Sequence, residues 1–278
     1  MSSEDYSISL VYLTVMFPIL FTLGPVTFYT STLFMMIAFF VSSYVFWKKG
    51  KEEHYAEDEL MDAYLVAMFW AVFWSRVGYI VFHFEQFGMQ PLRWLDVFNS
   101  PGFFPVVGIF AAAATLYRFA QRQKWDEFEI LDFGVLALSL LTSILWFGNF
   151  FAGAELGTTT QLPWGVVFPN VFDRRHPVQL YGFILYLLLF VYLFWSESRY
   201  RMFEWYRAKK DSAQSGFLFA MFCIFTGVIG LVLWIFTSSK VIFFNVPVEP
   251  IIRVALVIYG CATLFRRSGR TIGLKKAK

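Results

Sequence analysis

Charged residues are scarce in this sequence. Asp, Glu, Lys and Arg make up only 15% of its 278 residues, whereas a soluble domain carries about 25%. Cysteine is scarcer still, because Cys223 and Cys261 are the only two and both lie inside apolar runs. The composition argues against a soluble domain and against a disulfide framework, and we expect both thiols to pack as small buried hydrophobes.

The sequence also lacks the patterns that hold metals, nucleotides or nucleic acid. Its three histidines are far apart and no phosphate-binding glycine loop is present, so we predict no metal and no cofactor. His54 lies among carboxylates in the charged run 48–59, where a solvated loop is favoured over a metal site. The net charge of +3 comes from basic residues placed between apolar segments, which gives no indication of a nucleic-acid partner.

Apolar residues, in contrast, are abundant. Hydrophobic residues make up 58% and aromatic residues 22% of the chain, and the mean hydropathy is +0.57. A helix that crosses the ~30 Å hydrocarbon core needs about 20 apolar residues. The sequence therefore predicts an all-α polytopic membrane helix bundle with about seven transmembrane helices. The predicted spans are Phe28–Trp47, Leu60–Phe84, Phe103–Phe119, Ile130–Phe151, Pro177–Trp195, Gly216–Phe236 and Ile251–Phe265.

The predicted bundle is a single transmembrane domain, residues 1–278, with three attached segments. The first of these contains the apolar stretch Ile8–Leu23, which is interrupted by Pro18 and ends at Gly24-Pro25. We interpret it as an arm at the outer interface, with a further membrane span as the alternative. The attached segments are an outer interfacial arm (1–27), an outer loop (152–176) and a basic cytoplasmic tail (266–278).

The distribution of positive charge predicts the orientation. Lys and Arg accumulate in the cytoplasmic connections of membrane proteins. Most of the 23 Lys and Arg residues follow the first, third and fifth predicted spans or lie in the C-terminal tail, and the opposite side holds only Arg93, Arg174, Arg175 and Lys240. We therefore predict an outer N-terminus and a cytoplasmic C-terminus. Since no Lys or Arg precedes the first apolar run, we expect no cleaved signal peptide.

One charged residue lies deep inside a predicted span. Ionisable residues in a span are costly and therefore mark candidate functional positions. Arg76 lies in the second span, eight residues before Phe84, or about 12 Å from the outer end of a helix. At that depth its guanidinium is expected to face the protein interior and to meet an anion, an acidic side chain, a carbonyl or water.

The connection after the fourth span has the composition of an anion site. Its glycines let the backbone turn and approach a ligand closely, and Pro177 can occupy the first position of the fifth helix. A helix N-terminus with two arginines beside it attracts anions, so we predict an outward-facing phosphate site, with a solvated positive loop as the alternative. The candidate residues of this connection are Asn149, Gly157, Arg174, Arg175, Gln179 and Tyr181.

Three blocks of this region have distinctive patterns. They are Gly148-Asn149-Phe150, Leu162–Pro169 (LPWGVVFP) and Arg175–Tyr181 (RHPVQLY), and the second span adds Ser75–Tyr79 (SRVGY). With these blocks in this order, and with Gly24-Pro25 before the first span, the chain resembles the prolipoprotein diacylglyceryl transferase family. The resemblance covers most of the chain.

The resemblance implies an enzyme that moves a diacylglyceryl group from phosphatidylglycerol to the lipobox cysteine of lipoprotein precursors. Its partners would be phosphatidylglycerol, the prolipoprotein signal peptide and membrane lipid, in the bacterial cytoplasmic (inner) membrane. A thiolate nucleophile needs a base, and the leaving phosphate needs cationic donors. His176 is then the candidate base, with His83 as a rival, and Arg76 and Arg175 are the candidate phosphate ligands. The other substrate-binding candidates are Asn149, Glu155, Gly157, Gln179 and Tyr181.

The sequence departs from the family pattern at several positions. Trp146 stands in place of an arginine, Gly182 in place of a glutamate, and Thr226–Phe236 lacks the arginine and glutamate of a later helix. The region 103–108 lacks a His-Gly-Gly motif. Two functions therefore stay open: an active transferase, or a catalytically inactive relative that binds phospholipid or lipoprotein as a membrane partner subunit. A transport channel is disfavoured, because the spans carry too few polar residues to line a water path.

Overall fold

The computed structural model describes residues 16–24, 26–97, 100, 102–169, 171–201, 215–238, 240, 242–243 and 246–267. Most of the predicted arm and of the basic tail therefore lies outside the described residues. Within them the chain forms nine helices and six short strands. In chain order these are β1 (Ile19–Leu23), β2 (Val26–Tyr29), α1 (Thr30–Glu52), α2 (Glu57–Phe82), α3 (Phe84–Phe87), α4 (Pro91–Leu95), α5 (Pro105–Gln123), α6 (Glu127–Ala152), β3 (Val166–Val167), β4 (Arg174–Arg175), α7 (Val178–Arg201), α8 (Phe217–Phe236), β5 (Ile242–Phe243), β6 (Val246–Pro247) and α9 (Val248–Arg267).

The all-α polytopic membrane class is confirmed. Each of the seven predicted spans coincides with one long helix. Six of these, α1, α2, α6, α7, α8 and α9, are long and apolar enough to cross a membrane. The remaining one, α5, has 19 residues but ends in polar turns that contain Arg118 and Arg122. At 1.5 Å per residue it is about 28 Å long, close to the thickness of the hydrocarbon core.

The described residues divide into two compact units. One unit contains residues 43–134 and 243. In it, α2 begins with Glu57, Asp58 and Glu59, whose negative charges favour a helix N-terminus. The α2–α5 contact is close because a small residue faces the backbone: a Cβ on Gly108 would lie 2.7 Å from the carbonyl oxygen of Ala71. Small residues at such contacts are typical of membrane helices.

The other unit contains residues 16–42, 135–242 and 246–267 as far as they are described. Its helices α8 and α9 are in close contact, since a Cβ on Gly260 would lie 2.8 Å from the carbonyl oxygen of Ala220. Before α1, the strands β1 and β2 pair as an antiparallel hairpin. The Thr30 hydroxyl then donates to the Phe17 carbonyl at the start of α1. The hairpin lies where the sequence predicts the arm, whose interfacial position stays a prediction.

The two cysteines differ in burial. Cys223 is buried in α8, as predicted, whereas Cys261 on α9 is exposed. The prediction for Cys261 is therefore wrong. A membrane helix is apolar on the face toward lipid as well as on the face toward protein, so an apolar run does not predict burial by protein.

The orientation and the role of α5 can be tested together with reporters that are active only in the cytoplasm. We predict signal from fusions that end at Lys124 and Lys278, and none from fusions that end at Gln90 and Lys240. This pattern follows if α5 crosses the membrane and the positive connections are cytoplasmic. Equal signal at Gln90 and Lys124 would show that α5 does not span. Equal signal at Lys240 and Lys278 would contradict a span by α9.

Candidate functional site

The turn after α6 is fixed by the end of that helix. Gly153 has a φ of +66°, which glycine adopts without strain. Its N–H donates to the Phe150 carbonyl at 3.2 Å, and the Ala154 N–H donates to the Asn149 carbonyl at 3.1 Å. This pair of hydrogen bonds is the Schellman arrangement. The predicted site residue Asn149 therefore lies in the last turn of α6, where its carbonyl anchors the following loop.

The loop after this turn contains short extended segments that the sequence did not predict. The Thr158 N–H donates to the Phe236 carbonyl at 2.7 Å, and the His176 N–H donates to the Thr158 carbonyl at 3.0 Å. On the far side, β4 pairs with β3 in antiparallel register. The end of α8, residues 157–160, β4 and β3 thus lie side by side. Most of these bonds join residues far apart in sequence, so no local pattern indicates them.

Arg175 lies in this small sheet and is half-buried. One terminal nitrogen of its guanidinium donates to the Gly157 carbonyl at 3.0 Å, while its Nε is buried without a hydrogen-bond partner among the described residues. Only glycine fits at position 157, because a Cβ there would lie 2.2 Å from the His176 carbonyl oxygen. A buried guanidinium N–H without an acceptor is costly and is suited to an oxygen of a ligand.

His176 and Tyr181 form a chain of polar contacts. The Nδ1 of His176 lies 3.3 Å from the Tyr181 hydroxyl, which accepts a hydrogen bond from the Trp164 indole at 2.9 Å. The ring of Phe236 lies against His176, with centroids 4.9 Å apart. The structure thus brings together two predicted site residues, and no hydrogen bond to Nε2 of His176 is found among the described residues.

Gln179 connects α7 to the turn after α6. Its side chain is fully buried, and its amide nitrogen donates to the carbonyls of Ala154 and Glu155, the latter at 3.1 Å. Its amide oxygen has no partner in the part of the chain that the structure describes. The side chain therefore fixes the backbone on which Glu155 is carried and leaves one buried acceptor.

Glu155 lies at the tip of this turn with a φ of +59°. The residue has an exposed surface, but surrounding protein reduces the hydration of its carboxyl group. Burial raises the pKa of Glu155, and the negative charge of Glu249 raises it further. The carboxyl group therefore holds its proton to a higher pH than a free glutamate.

The sequence interpretation missed a second group of polar residues, which lies inside the spans. The Tyr186 hydroxyl on α7 faces the guanidinium of Arg253 and the hydroxyl of Thr226. The Arg253 side chain crosses α8 at Gly230, where a Cβ would lie 2.4 Å from its Nε. Glu249, one turn earlier on α9, attracts Arg253 electrostatically. A signal was present, because Arg253 is charged and lies inside a predicted span, like Arg76.

Arg76 belongs to the unit of residues 43–134. The residue is 8% exposed, and its guanidinium donates to five backbone carbonyls between residues 93 and 102. A guanidinium has five N–H donors, so contact with a phosphate would require at least one of these hydrogen bonds to be given up. Its role as a phosphate ligand stays a prediction.

Two positions at which the sequence departs from the family pattern are neighbours in space. A Cβ on Gly182 would lie 2.4 Å from the indole of Trp146. Farther along α7, an apolar groove of about 290 Å³ opens between α7 and α8. Its lining residues are Tyr181, Ile184, Leu185, Val232, Leu233 and Phe236.

Comparisons with known proteins concern the family of the chain. The sequence profile of the family described as "Prolipoprotein diacylglyceryl transferase" matches residues 18–266. A phosphatidylglycerol–prolipoprotein diacylglyceryl transferase of Coxiella burnetii (strain RSA 331 / Henzerling II) is 28% identical over 189 residues, which is 66% of this chain and 72% of that protein. The protein of the same name from Clostridium tetani (strain Massachusetts / E88) is 26% identical over 216 residues, or 76% and 81%. That from Legionella pneumophila (strain Lens) is 29% identical over 185 residues, or 63% and 72%.

Proposed function

Because this chain belongs to the prolipoprotein diacylglyceryl transferase family, we propose that it transfers a diacylglyceryl group from phosphatidylglycerol to the lipobox cysteine of lipoprotein precursors. Two observations together carry the proposal. The family match covers residues 18–266, and Arg175, next to His176, has a buried Nε without a hydrogen-bond partner among the described residues. As a multi-pass protein of this family, it would act in the bacterial inner membrane, where both substrates are found.

The proposed reaction exchanges an oxygen for a sulfur on one carbon of the lipid glycerol. The cysteine sulfur attacks the carbon that carries the phosphate ester, so a C–S bond forms and the C–O bond breaks. Glycerol phosphate leaves with the bonding electrons, and the thiol proton passes to a base. The protein must therefore stabilise negative charge on a phosphate and must accept one proton.

Arg175 and Arg253 are the proposed phosphate ligands. The Nε of Arg175 lacks an acceptor among the described residues. Arg253 holds a charge inside a span, between Tyr186 and Glu249, and such charges are retained where they serve a function. A guanidinium can bind two phosphate oxygens at once. Arg76 is the predicted third ligand, but its donors are already engaged by backbone carbonyls.

His176 is the proposed base. When Nδ1 donates its proton to the Tyr181 oxygen, the ring is oriented and Nε2 carries the lone pair that would accept the thiol proton. Glu155 is the second candidate, because burial and the charge of Glu249 raise its pKa, which makes its carboxylate a stronger base than a free glutamate. Asn149, Gly157 and Gln179 shape the turn that carries Glu155. The groove that begins at Tyr181 would accommodate an acyl chain of the substrate.

The competing function is a catalytically inactive relative that binds phospholipid or lipoprotein as a partner subunit. The contact between Trp146 and Gly182 favours it, because an indole fills space at a position where the family pattern has an arginine. Loss of that cation would weaken phosphate stabilisation more than lipid binding. The two functions therefore differ in transfer rate, and both are compatible with binding of phosphatidylglycerol.

The test is lipid transfer by the purified protein in phosphatidylglycerol vesicles, with a lipobox peptide as acceptor. We expect a peptide of increased mass that carries a thioether, and no product from a peptide with serine for cysteine. His176→Gln should slow transfer about a hundredfold, which is the lower part of the range for a general base. His54→Gln, a matched change at an exposed loop histidine, should not. Phosphatidylglycerol binding without transfer by the wild type would establish the inactive relative instead.

A further inference from the structure

The connector between α2 and α5 is organised around Arg76. The Nε of Arg76 donates to the Trp94 carbonyl at 3.0 Å, and one terminal nitrogen donates to the carbonyls of Ser100 and Gly102 at 2.8 and 3.0 Å. The other terminal nitrogen reaches the carbonyls of Asp96 at 3.1 Å and Arg93 at 3.5 Å. A single side chain therefore holds five backbone carbonyls of one connector.

Other contacts fix the same connector. The Trp94 indole donates to the Gly88 carbonyl at 3.1 Å. The guanidinium of Arg76 lies 5.2 Å from the centre of the Phe87 ring, within cation–π distance. At the other end, a Cβ on Gly102 would lie 2.2 Å from the Tyr79 ring. Residues 88–102, as far as they are described, thus form an element that side-chain contacts hold in a defined conformation.

The outer surface of this element is apolar. Met89, Leu92 and Leu95 are 81%, 85% and 81% exposed. Leu92 and Leu95 are three residues apart on α4, so they lie on one face of that helix. Single exposed apolar side chains are common, but three together on a short connector mark an interaction surface.

We propose that Arg76 is a latch that folds residues 88–97, 100 and 102 into a membrane-surface platform, with Met89, Leu92 and Leu95 inserted into the lipid leaflet at the C-terminal end of α2. The occupant is lipid because the apolar surface continues from a membrane helix: Val81 and Phe84, just before it, are 53% and 44% exposed. Trp94 and Arg93 in the same element are residue types that anchor a chain at the lipid interface. The platform goes beyond the proposed transferase activity and does not depend on it.

Insertion is tested with an environment-sensitive fluorophore on a single cysteine. The Cys223→Ala/Cys261→Ala chain receives Leu92→Cys, and the protein is reconstituted in phosphatidylglycerol and phosphatidylethanolamine vesicles. We expect blue-shifted emission, quenching by nitroxide lipids and little quenching by iodide. Phe73→Cys on the exposed face of α2 is the lipid control, and Glu53→Cys in a connection is the aqueous control. Iodide quenching equal to that at Glu53 would overturn the proposal, and so would protection that disappears on dilution of protein in lipid, because a second copy would then cover the surface.

The latch is tested in the same labelled chain. Arg76→Lys keeps the positive charge but has three N–H donors in place of five. We expect the Leu92 label to become accessible to iodide and amide hydrogen exchange to accelerate in residues 93–102, with the Phe73 label unchanged. If Arg76→Lys does not accumulate, Gly102→Ala displaces the connector from the Tyr79 ring and should give the same result. An unchanged Leu92 label in a folded variant would exclude the latch.

Discussion

The Arg175→Ala variant is expected to transfer diacylglyceryl to a lipobox peptide at about one hundredth of the wild-type rate. Removing one charged contact to a transferring phosphate in a dry site costs on the order of 3 kcal/mol, and each 1.36 kcal/mol is about tenfold in rate. Arg175 is suited to this role because its Nε is buried without a partner among the described residues. The measurement is the initial rate in phosphatidylglycerol vesicles.

Arg174→Ala is the matched control for this prediction. Arg174 is the exposed neighbour in the same strand, so its loss changes the net charge equally without removing the half-buried guanidinium of Arg175. Because Arg175 also donates to the Gly157 carbonyl, the thermal stability of each variant is measured beside its rate. Arg175→Lys keeps the positive charge but lacks the planar guanidinium that can bind two phosphate oxygens at once, so it should recover only part of the rate. A folded Arg175→Ala protein with the wild-type rate would show that phosphate stabilisation lies elsewhere.

The second large effect is expected at Trp146 and Gly182. Each single change, Trp146→Arg or Gly182→Glu, should destabilise the protein by about 3 kcal/mol. Trp146→Arg places a charge without a partner in a partly buried position. Leaving one charge of a buried ion pair without its partner has a cost of this size. Gly182→Glu places a side chain where the Cβ alone would lie 2.4 Å from the indole, and overpacking is costly. The double variant places an arginine opposite a glutamate and should be less destabilised than the sum.

A double-mutant cycle measures this coupling. Residues in contact have interaction energies of about 0.5–3 kcal/mol, whereas distant changes are additive. Thermal unfolding in detergent micelles gives the four stabilities. Trp146→Arg combined with Gln161→Glu, at an exposed loop position, is the control for added negative charge and should be additive. If the effects of Trp146→Arg and Gly182→Glu are additive as well, the two positions do not interact energetically.

The helices could be predicted from sequence to within a few residues because each must cross the same apolar layer. The fourth predicted span, Ile130–Phe151, is α6, Glu127–Ala152, in the structure, and the sixth, Gly216–Phe236, is α8, Phe217–Phe236. In both cases the apolar run ends close to a turn signal in the sequence, such as Gly153 after α6. Apolar length carries this information locally, without reference to the rest of the chain.

The candidate site could be predicted only in part. The sequence indicated that Arg175, His176, Gln179 and Tyr181 lie near the start of α7, because they are consecutive or one helical turn apart. It did not indicate that Arg175 would contact Gly157 or that Trp164 would donate to Tyr181. Arg253 was missed although it is a charge within a span, because the family resemblance places the arginine of the later helix within Thr226–Phe236.

The sequence by itself determined the membrane class, the long helices and the family. These properties follow from apolar length, from charge distribution and from short motifs, all of which are local. Only the tertiary structure decided what the charged residues do. Arg76 lies inside α2 and Arg175 lies in β4 just before α7. Arg76 has a backbone carbonyl for every donor, whereas the Nε of Arg175 has no acceptor among the described residues. The cost of burying a guanidinium depends on which acceptors the fold brings to it, and those acceptors come from distant parts of the chain.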